Sequence, residues 1–219
     1  MHPPTTTRTP LSRDKVLAAA VDLADRIGAD ALTMRKLADA LGVQPMSLYH
    51  HVANKEAILD GMVDVVFGEI DLPPTDLPWR EAMAHRCRSA RQVLRRHPWA
   101  TPLMESRTSP GAPTLSHHDA VLACLIDAGL PMPLVAHAYA VLDAFVYGFA
   151  IQEASLPFDS SEDLADFADA LVTPIAEDFP HLAAFTAQHV LAPGYDFGDS
   201  FEVGLAMILD GLEAAADRA

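Results

Sequence analysis

Cysteine and lysine are scarce in this 219-residue chain, and the scarcity narrows the reading. Two cysteines, Cys87 and Cys124, leave no room for a disulfide framework or a structural zinc site, and a pair of buried thiols is the plain expectation. No stretch alternates apolar and polar residues as a half-buried strand would. No Gly-x-Ser-x-Gly, P-loop, Gly-x-Gly-x-x-Gly or His-Glu-x-x-His spacing occurs, so an enzyme is not indicated and no catalytic residue is assigned. The longest apolar run, Ala138 to Ile151, is short for a bilayer span and carries Asp143. The start, Met1-His2-Pro3-Pro4-Thr5, lacks the charged-then-apolar layout of a leader. These features predict a cytoplasmic protein with no membrane partner.

What is present is acid, unevenly spread. The net charge is -15, which at first argues against nucleic acid. Residues 1–61 hold seven Lys/Arg and seven Asp/Glu, and all three lysines, Lys15, Lys36 and Lys55, lie there. Residues 62–219 hold eight and twenty-three, so they carry the whole surplus. A neutral front and an acidic back suggest two regions with different partners.

Half the residues are hydrophobic, enough for a sizeable core, and their periodicity is helical nearly throughout. Residues 1–11, rich in Pro and Thr, read as a flexible arm. Ser12 caps a first helix whose face is Val16, Ala20, Leu23 and Ile27, stopped at Gly28. Thr33 caps a second, ending at Gly42; a third runs from about Gln44 to His51 with Pro45 in its first turn. Asn54 caps a fourth, to about Phe67. The proline-rich residues 71–78 form a connector. Further helices are expected at about 79–97, 114–128, 133–156, 161–190 (interrupted at Pro174 and Pro180) and 199–217. The fold class is therefore all-α: a three-helix head over 12–62 and a larger helical domain over 63–219.

The head carries the most informative segment. Two short amphipathic helices meet at Gly42-Val43, where glycine can take the left-handed conformation that a tight turn needs. Leu48 and Val52 face a trihelical core, leaving Gln44, Pro45, Met46, Ser47, Tyr49, His50 and His51 outward. Short side chains at a helix N-terminus can reach base edges in a major groove, while Tyr, His and Lys hold phosphates. A plain helical hairpin would have little use for an exposed Tyr-His-His cluster followed by Asn54-Lys55.

Residues 12–62 resemble the DNA-binding domain of the tetracycline-repressor (TetR) family of bacterial regulators. The matching features are Leu32-Thr33-Met34-Arg35-Lys36-Leu37-Ala38, the Leu41-Gly42-Val43 turn, Ser47-Leu48-Tyr49-His50-His51-Val52 and Asn54-Lys55-Glu56. A weaker similarity, through Trp79, Gly148 and Phe201-Gly204-Leu205, continues to the C-terminus. The resemblance implies that Thr33 and Arg35 touch the DNA backbone or a neighbouring base, that Tyr49, His51 and Lys55 clamp phosphates, and that Gln44 to Ser47 form the base-reading turn. The Gln-Pro pair sits one residue earlier than in the family's namesake, so the operator should differ.

In the back half, Ala136, Ala140, Ala144 and Gly148 recur every four residues and would let another helix approach closely. That neighbour can be intrachain or a second copy. The resemblance favours a homodimer, in which this helix and the last one, with Gly204, Ile208 and Gly211, form a four-helix bundle across a two-fold axis. Two copies would then read a palindromic operator in double-stranded DNA. The helix at 79–97 mixes six arginines with apolar residues, and the surrounding acid makes internal ion pairing the expectation over a second nucleic-acid patch.

Trp99, Leu103, Met104, Leu122, Phe145, Phe149 and Gln152, with His85 and Arg86, are the candidate lining of an effector pocket; ordinary core is the alternative for each. The histidines that hold a magnesium–drug chelate in the family's namesake have no counterpart. The fourth helix ends Phe67-Gly68-Glu69-Ile70-Asp71, and Met104 falls at the other metal position. The resemblance thus implies a ligand-responsive repressor whose effector is partly apolar and needs no metal or cofactor. An activator or dual regulator on the same fold, or a helical small-molecule-binding protein or enzyme, are the alternatives.

Overall fold

A computed structural model describes residues 10–107, 109–156 and 176–218. Every regular element among them is helical: α1 (Arg13–Ile27), α2 (Met34–Leu41), α3 (Pro45–Leu48), α4 (Lys55–Glu69), α5 (Trp79–Arg96), α6 (Ala100–Ser106), α7 (Ala112–Asp127), α8 (Met132–Ala154), α9 (Pro180–Phe185), a π turn (Thr186–Val190) and α10 (Asp199–Ala216). Residues 161–175 of the helix expected over 161–190 lie outside this set, as do residues 1–9 of the arm.

Local chemistry sets the ends of the head's helices. The Ser12, Thr33 and Asn54 side chains accept from the amides of Lys15, Lys36 and Ala57 at 3.3, 3.2 and 2.8 Å, satisfying donors that the first turn leaves open. At the end of α2, Gly42 takes φ 63°, its amide donates to Asp39 O, and the Val43 amide donates to Ala38 O. This six-to-one and five-to-two pairing closes the helix in the left-handed turn that glycine favours. The third helix is shorter than its sequence pattern suggests. After Leu48 the chain continues as a turn through His51, whose amide donates to Leu48 O. The fourth runs to Glu69, two residues past Phe67.

Two buried clusters divide the chain. The head packs Val16, Leu17, Ala20, Leu32, Leu37, Leu48, Ile58 and Met62 around the meeting of α1 to α4. The body packs Val63, Val66 and Phe67 with α5, α7, α8 and α10. One helix, α4, thus supplies both cores from successive turns, and Trp99 and Leu103 border both. α4 lies close to α1 because position 61 is glycine: a Cβ there would meet the Leu17 methyls at 2.6 and 2.8 Å.

α8 is longer than the apolar run in the sequence. By length and composition alone it would reach across a bilayer, although the run 138–151 reads as too short. Its Val135, Ala138, Leu142 and Val146 are buried in the body core, and Asp143 is paired with Arg86. The basic run of α5 is absorbed inside the chain: Arg80 pairs with Asp210 and Glu213, Arg86 with Asp143, Arg88 with Glu202, Arg91 and Arg95 with Glu153, and Arg96 with Glu69.

Candidate nucleic-acid interface and ligand cavity

The outer edge of the head is chemically uncommitted. Gln44 is the N-cap of α3 but its side chain caps nothing, so its amide is left to bond elsewhere. Met46 is 71% exposed, and Tyr49, His50, Gln44 and Arg35 also face solvent. Pro45, Ser47, His51 and Lys55 are half-buried beside them. Leu48, between them in sequence, is fully buried and anchors the turn. Thr33 is exposed, and its hydroxyl oxygen serves as the cap of α2. Among the described residues, Arg35, Tyr49, His50, His51 and Lys55 make no ion pair and no side-chain hydrogen bond, unlike the arginines of α5.

Head and body meet at a polar junction. Asp25 of α1 accepts from Trp99 Nε1 at 2.6 Å and lies 2.8 Å from His97 Nδ1. His97 Nε2 is 3.2 Å from Glu69, which also accepts from Arg96 at 2.8 Å. Burial would raise the Glu69 carboxyl, but the bonds from Arg96 and His97 outweigh it and hold the group below its ordinary value.

The body carries a cavity of about 540 Å³ that opens to solvent. Phe67 of α4 forms one side, Met104 and Glu105 of α6 another, and His118 of α7 a third; Tyr139, Ala140, Asp143, Ala144 and Tyr147 of α8 complete the wall. Behind Asp143 stands Arg86, fully buried, donating through Nη1 to Asp143 at 2.7 Å and through Nε to His117 Nε2 at 3.0 Å. Desolvation disfavours the guanidinium, yet Asp143 beside it holds its pKa above the usual value. His117, buried and facing that cation, is pushed down to about 3, so its ring is neutral. His118 is lowered chiefly by burial and pairs with the Tyr139 hydroxyl at 2.6 Å. Burial raises both Tyr139 and Tyr147, which remain neutral phenols.

Of the nine pocket residues expected from sequence, the structure puts Met104 on this wall and Arg86 just behind it. Phe145 and Phe149 turn the other way, into an aromatic cluster with Phe197 and Phe201 under α10; the Arg91 guanidinium lies 5.0 Å from Phe149 and 4.8 Å from Phe201. Trp99 and Leu103 sit at the head–body junction, Leu122 packs on the body core, and His85 and Gln152 are exposed. Sequence reasoning missed Phe67, Glu105, His118, Tyr139, Asp143 and Tyr147. The one available signal was Asp143, the only charged residue in the apolar run 138–151.

The small-residue strip of α8 faces outward: Ala136, Ala140 and Ala144 are exposed, and nothing lies within 4 Å of a Cβ built on Gly148 or Gly211. Val141 and Ile151 of α8 and Val203 and Met207 of α10 are exposed beside it. Ile208 is half-buried against the body core. Gly204 differs from the others: a Cβ there would meet the Phe145 ring at 2.8 Å, so this glycine permits close intrachain packing of α10 on α8.

A helix-turn-helix head with an uncommitted edge, joined through one shared helix to a hollow body, defines a ligand-responsive DNA-binding regulator. The comparisons agree: residues 16–62 match the bacterial regulatory proteins of the tetR family, and residues 72–216 match the tetracyclin repressor-like C-terminal domain. The chain belongs to the TetR family of transcriptional regulators. It is 35% identical to an HTH-type transcriptional regulator of Saccharopolyspora erythraea, covering 96% of this chain and 88% of that one. It is 33% identical to the class A tetracycline repressor protein from transposon 1721 of Escherichia coli, covering 93% and 91%. The solved structure of apo ActR from Streptomyces coelicolor superposes with a TM-score of 0.78 at 29% identity, covering 97% and 99%. ActR in complex with actinorhodin gives 0.75 at 30% identity, covering 95% and 99%. The chain is a ligand-responsive transcriptional repressor of this family, which is one of regulators rather than enzymes.

Proposed function

We propose that α3 and its flanks enter the major groove of a palindromic operator. Gln44, Pro45, Met46 and Ser47 face base edges, and Thr33, Arg35, Tyr49, His50, His51 and Lys55 hold the backbone. The observation that carries this reading is that, among the described residues, Arg35, Tyr49, His50, His51 and Lys55 make no ion pair and no side-chain hydrogen bond, in a chain that pairs all six arginines of α5. Residues 12–62 act as the reading head and 63–219 as the responding and dimerising body. The exposed strip of α8 with Met207, Val203 and Gly211 of α10 is the two-fold contact, and two heads one helical turn apart read the palindrome. Such a regulator works beside DNA, in the cytoplasm, and has no catalytic role.

The effector occupies the 540 Å³ cavity, whose walls are aromatic and apolar with a few polar groups. Phe67 lines that cavity, while Ile58, Leu59 and Met62 of the same helix sit in the head's core, so displacing Phe67 moves the head. Both sites then bias one two-state element. Met104 on the wall offers a soft thioether, a poor ligand for a hard cation; the oxygen donors of the wall are the carboxylates of Glu105 and Asp143 and the phenols of Tyr139 and Tyr147. Among the described residues no three His, Cys, Asp or Glu side chains are grouped to hold a metal.

The test is operator binding. An operator selected by the wild-type protein from random duplex DNA should read as an inverted repeat. Lys55→Ala should weaken binding to all sequences alike and lower the salt slope by about one unit per subunit. Gln44→Ala should relax discrimination at one position per half-site, costing about 1–3 kcal/mol on the best operator. An unchanged salt slope and a uniform loss across operator variants would remove both assignments.

A further inference from the structure

The cavity wall carries acid and no cation. Glu105 at its mouth is exposed and makes no ion pair among the described residues. Asp143 projects from the middle of α8 with one oxygen held by Arg86. Arg86 is no part of the wall: it is fully buried behind Asp143, its Nε and Nη1 are bound to His117 and Asp143, and its Nη2 is left without a hydrogen-bond partner among the described residues. Its charge balances that of Asp143, so the net charge that the wall presents is that of Glu105. The remaining polar groups on the wall are neutral, since burial lowers His118 and raises Tyr139 and Tyr147. Phe67, Tyr139 and Tyr147 make the wall aromatic, and an aromatic ring attracts a cation over its face through the π system.

We infer that this cavity selects planar aromatic ligands that are cationic or rich in hydrogen-bond donors, and rejects carboxylates and sulfonates of the same shape. The inference rests on the cavity being the effector site. Its physical basis is the sign of the wall: Glu105 meets a positive charge favourably, Asp143 has one oxygen outside its Arg86 bond to accept from a donor, and an anion would enter a partly desolvated space beside the unpaired Glu105 carboxylate. The exposure of Glu105 moderates the effect, because a solvated carboxylate is screened.

The test uses two three-ring probes of similar shape, the 9-aminoacridine cation and acridine-9-carboxylate, titrated calorimetrically into the full-length, DNA-free protein at low ionic strength. The cation should bind about tenfold more tightly than the anion, the scale expected for one partly screened unit charge. Glu105→Lys should erase or reverse the preference, and Glu105→Gln should reduce it severalfold. Met104→Trp, which fills the cavity from α6, should abolish binding of the cation. Equal or tighter binding of the anion, still sensitive to Met104→Trp, would overturn the charge preference and leave the cavity as the effector site. A cation preference untouched by Glu105→Lys would overturn it as well, since the wall would not be its source. If neither probe binds, or Met104→Trp leaves cation binding unchanged, the cavity reading itself falls and the inference with it.

Discussion

Asp64 of α4 holds the start of α7: its Oδ1 accepts from the Thr114 hydroxyl at 2.7 Å and from the Gly111 amide at 3.0 Å. The helix that serves both cores thus places a carboxylate at the N-terminus of a body helix, where backbone donors and the helix dipole favour it. Gly111 suits the contact because a Cβ there would collide with that carboxylate. Two more acids of α4, Glu56 and Asp60, reach Arg107 at 2.7 and 3.3 Å, so one face of α4 holds both Arg107, just after α6, and Gly111, just before α7. Asp64→Ala should cost about 1–2 kcal/mol in urea unfolding, for a lost cap and an unsatisfied hydroxyl. Asp64→Asn, which keeps the accepting oxygen, should cost less. Equal losses would show that charge rather than the hydrogen bonds holds the joint.

Phe149→Ala should behave as a core mutation. Its ring stacks on Phe197 at 4.8 Å and meets Phe201 edge-on at 5.1 Å. Truncation of such a side chain costs about 3–5 kcal/mol, read as a lower denaturant midpoint with unchanged slope. Wild-type stability combined with altered ligand response would return Phe149 to the effector site.

Met207→Glu should separate the subunits. Met207 is 69% exposed on α10 and does not line the 540 Å³ cavity, whereas Ala140 and Ala144 belong to both the cavity wall and the small-residue strip. A buried, unpaired charge at a two-fold contact meets its own copy and lacks solvation. Sedimentation should show a monomer that has lost tight operator binding while keeping its helical signal. A dimer of unchanged affinity would place the contact elsewhere.

His117 should make the fold acid-sensitive. Its folded pKa is about 3, from burial and then from the Arg86 charge, against about 6.5 in the unfolded chain. As pH falls below 6.5 the unfolded state takes up the proton first, so this group lowers stability progressively toward pH 3 and contributes nothing above 6.5. The slope approaches about 1.4 kcal/mol per pH unit in that window. His117→Gln retains an acceptor for Arg86 Nε and should flatten the curve, checked by urea unfolding between pH 7.5 and pH 5. Parallel curves for variant and wild type would assign the acid sensitivity to other groups.

Much of the head was legible because its determinants are local. The caps at Ser12, Thr33 and Asn54, the glycine turn at Gly42 and the alternation of inward and outward residues from Pro45 to Val52 each depend on neighbours within a few positions. The sign of the α5 arginines' partners was legible too, from the acid around them, although not which acid takes which arginine. The short α6 was missed because Pro102 and the weak pattern of residues 100–106 resemble a loop.

Sequence by itself determined the helical class, the head and its exposed edge, and the segregation of charge. Only the tertiary structure decided the inside of the body. α8 carries apolar residues on every side, so periodicity cannot say which face meets the core, which the cavity and which the solvent. Packing against α5, α7 and α10 makes that choice: it turns Phe145 and Phe149 toward Phe201, sets Gly204 against Phe145, and leaves Tyr139, Asp143 and Tyr147 around a space. These are contacts between residues dozens of positions apart, fixed by how whole helices cross, and no local pattern encodes them.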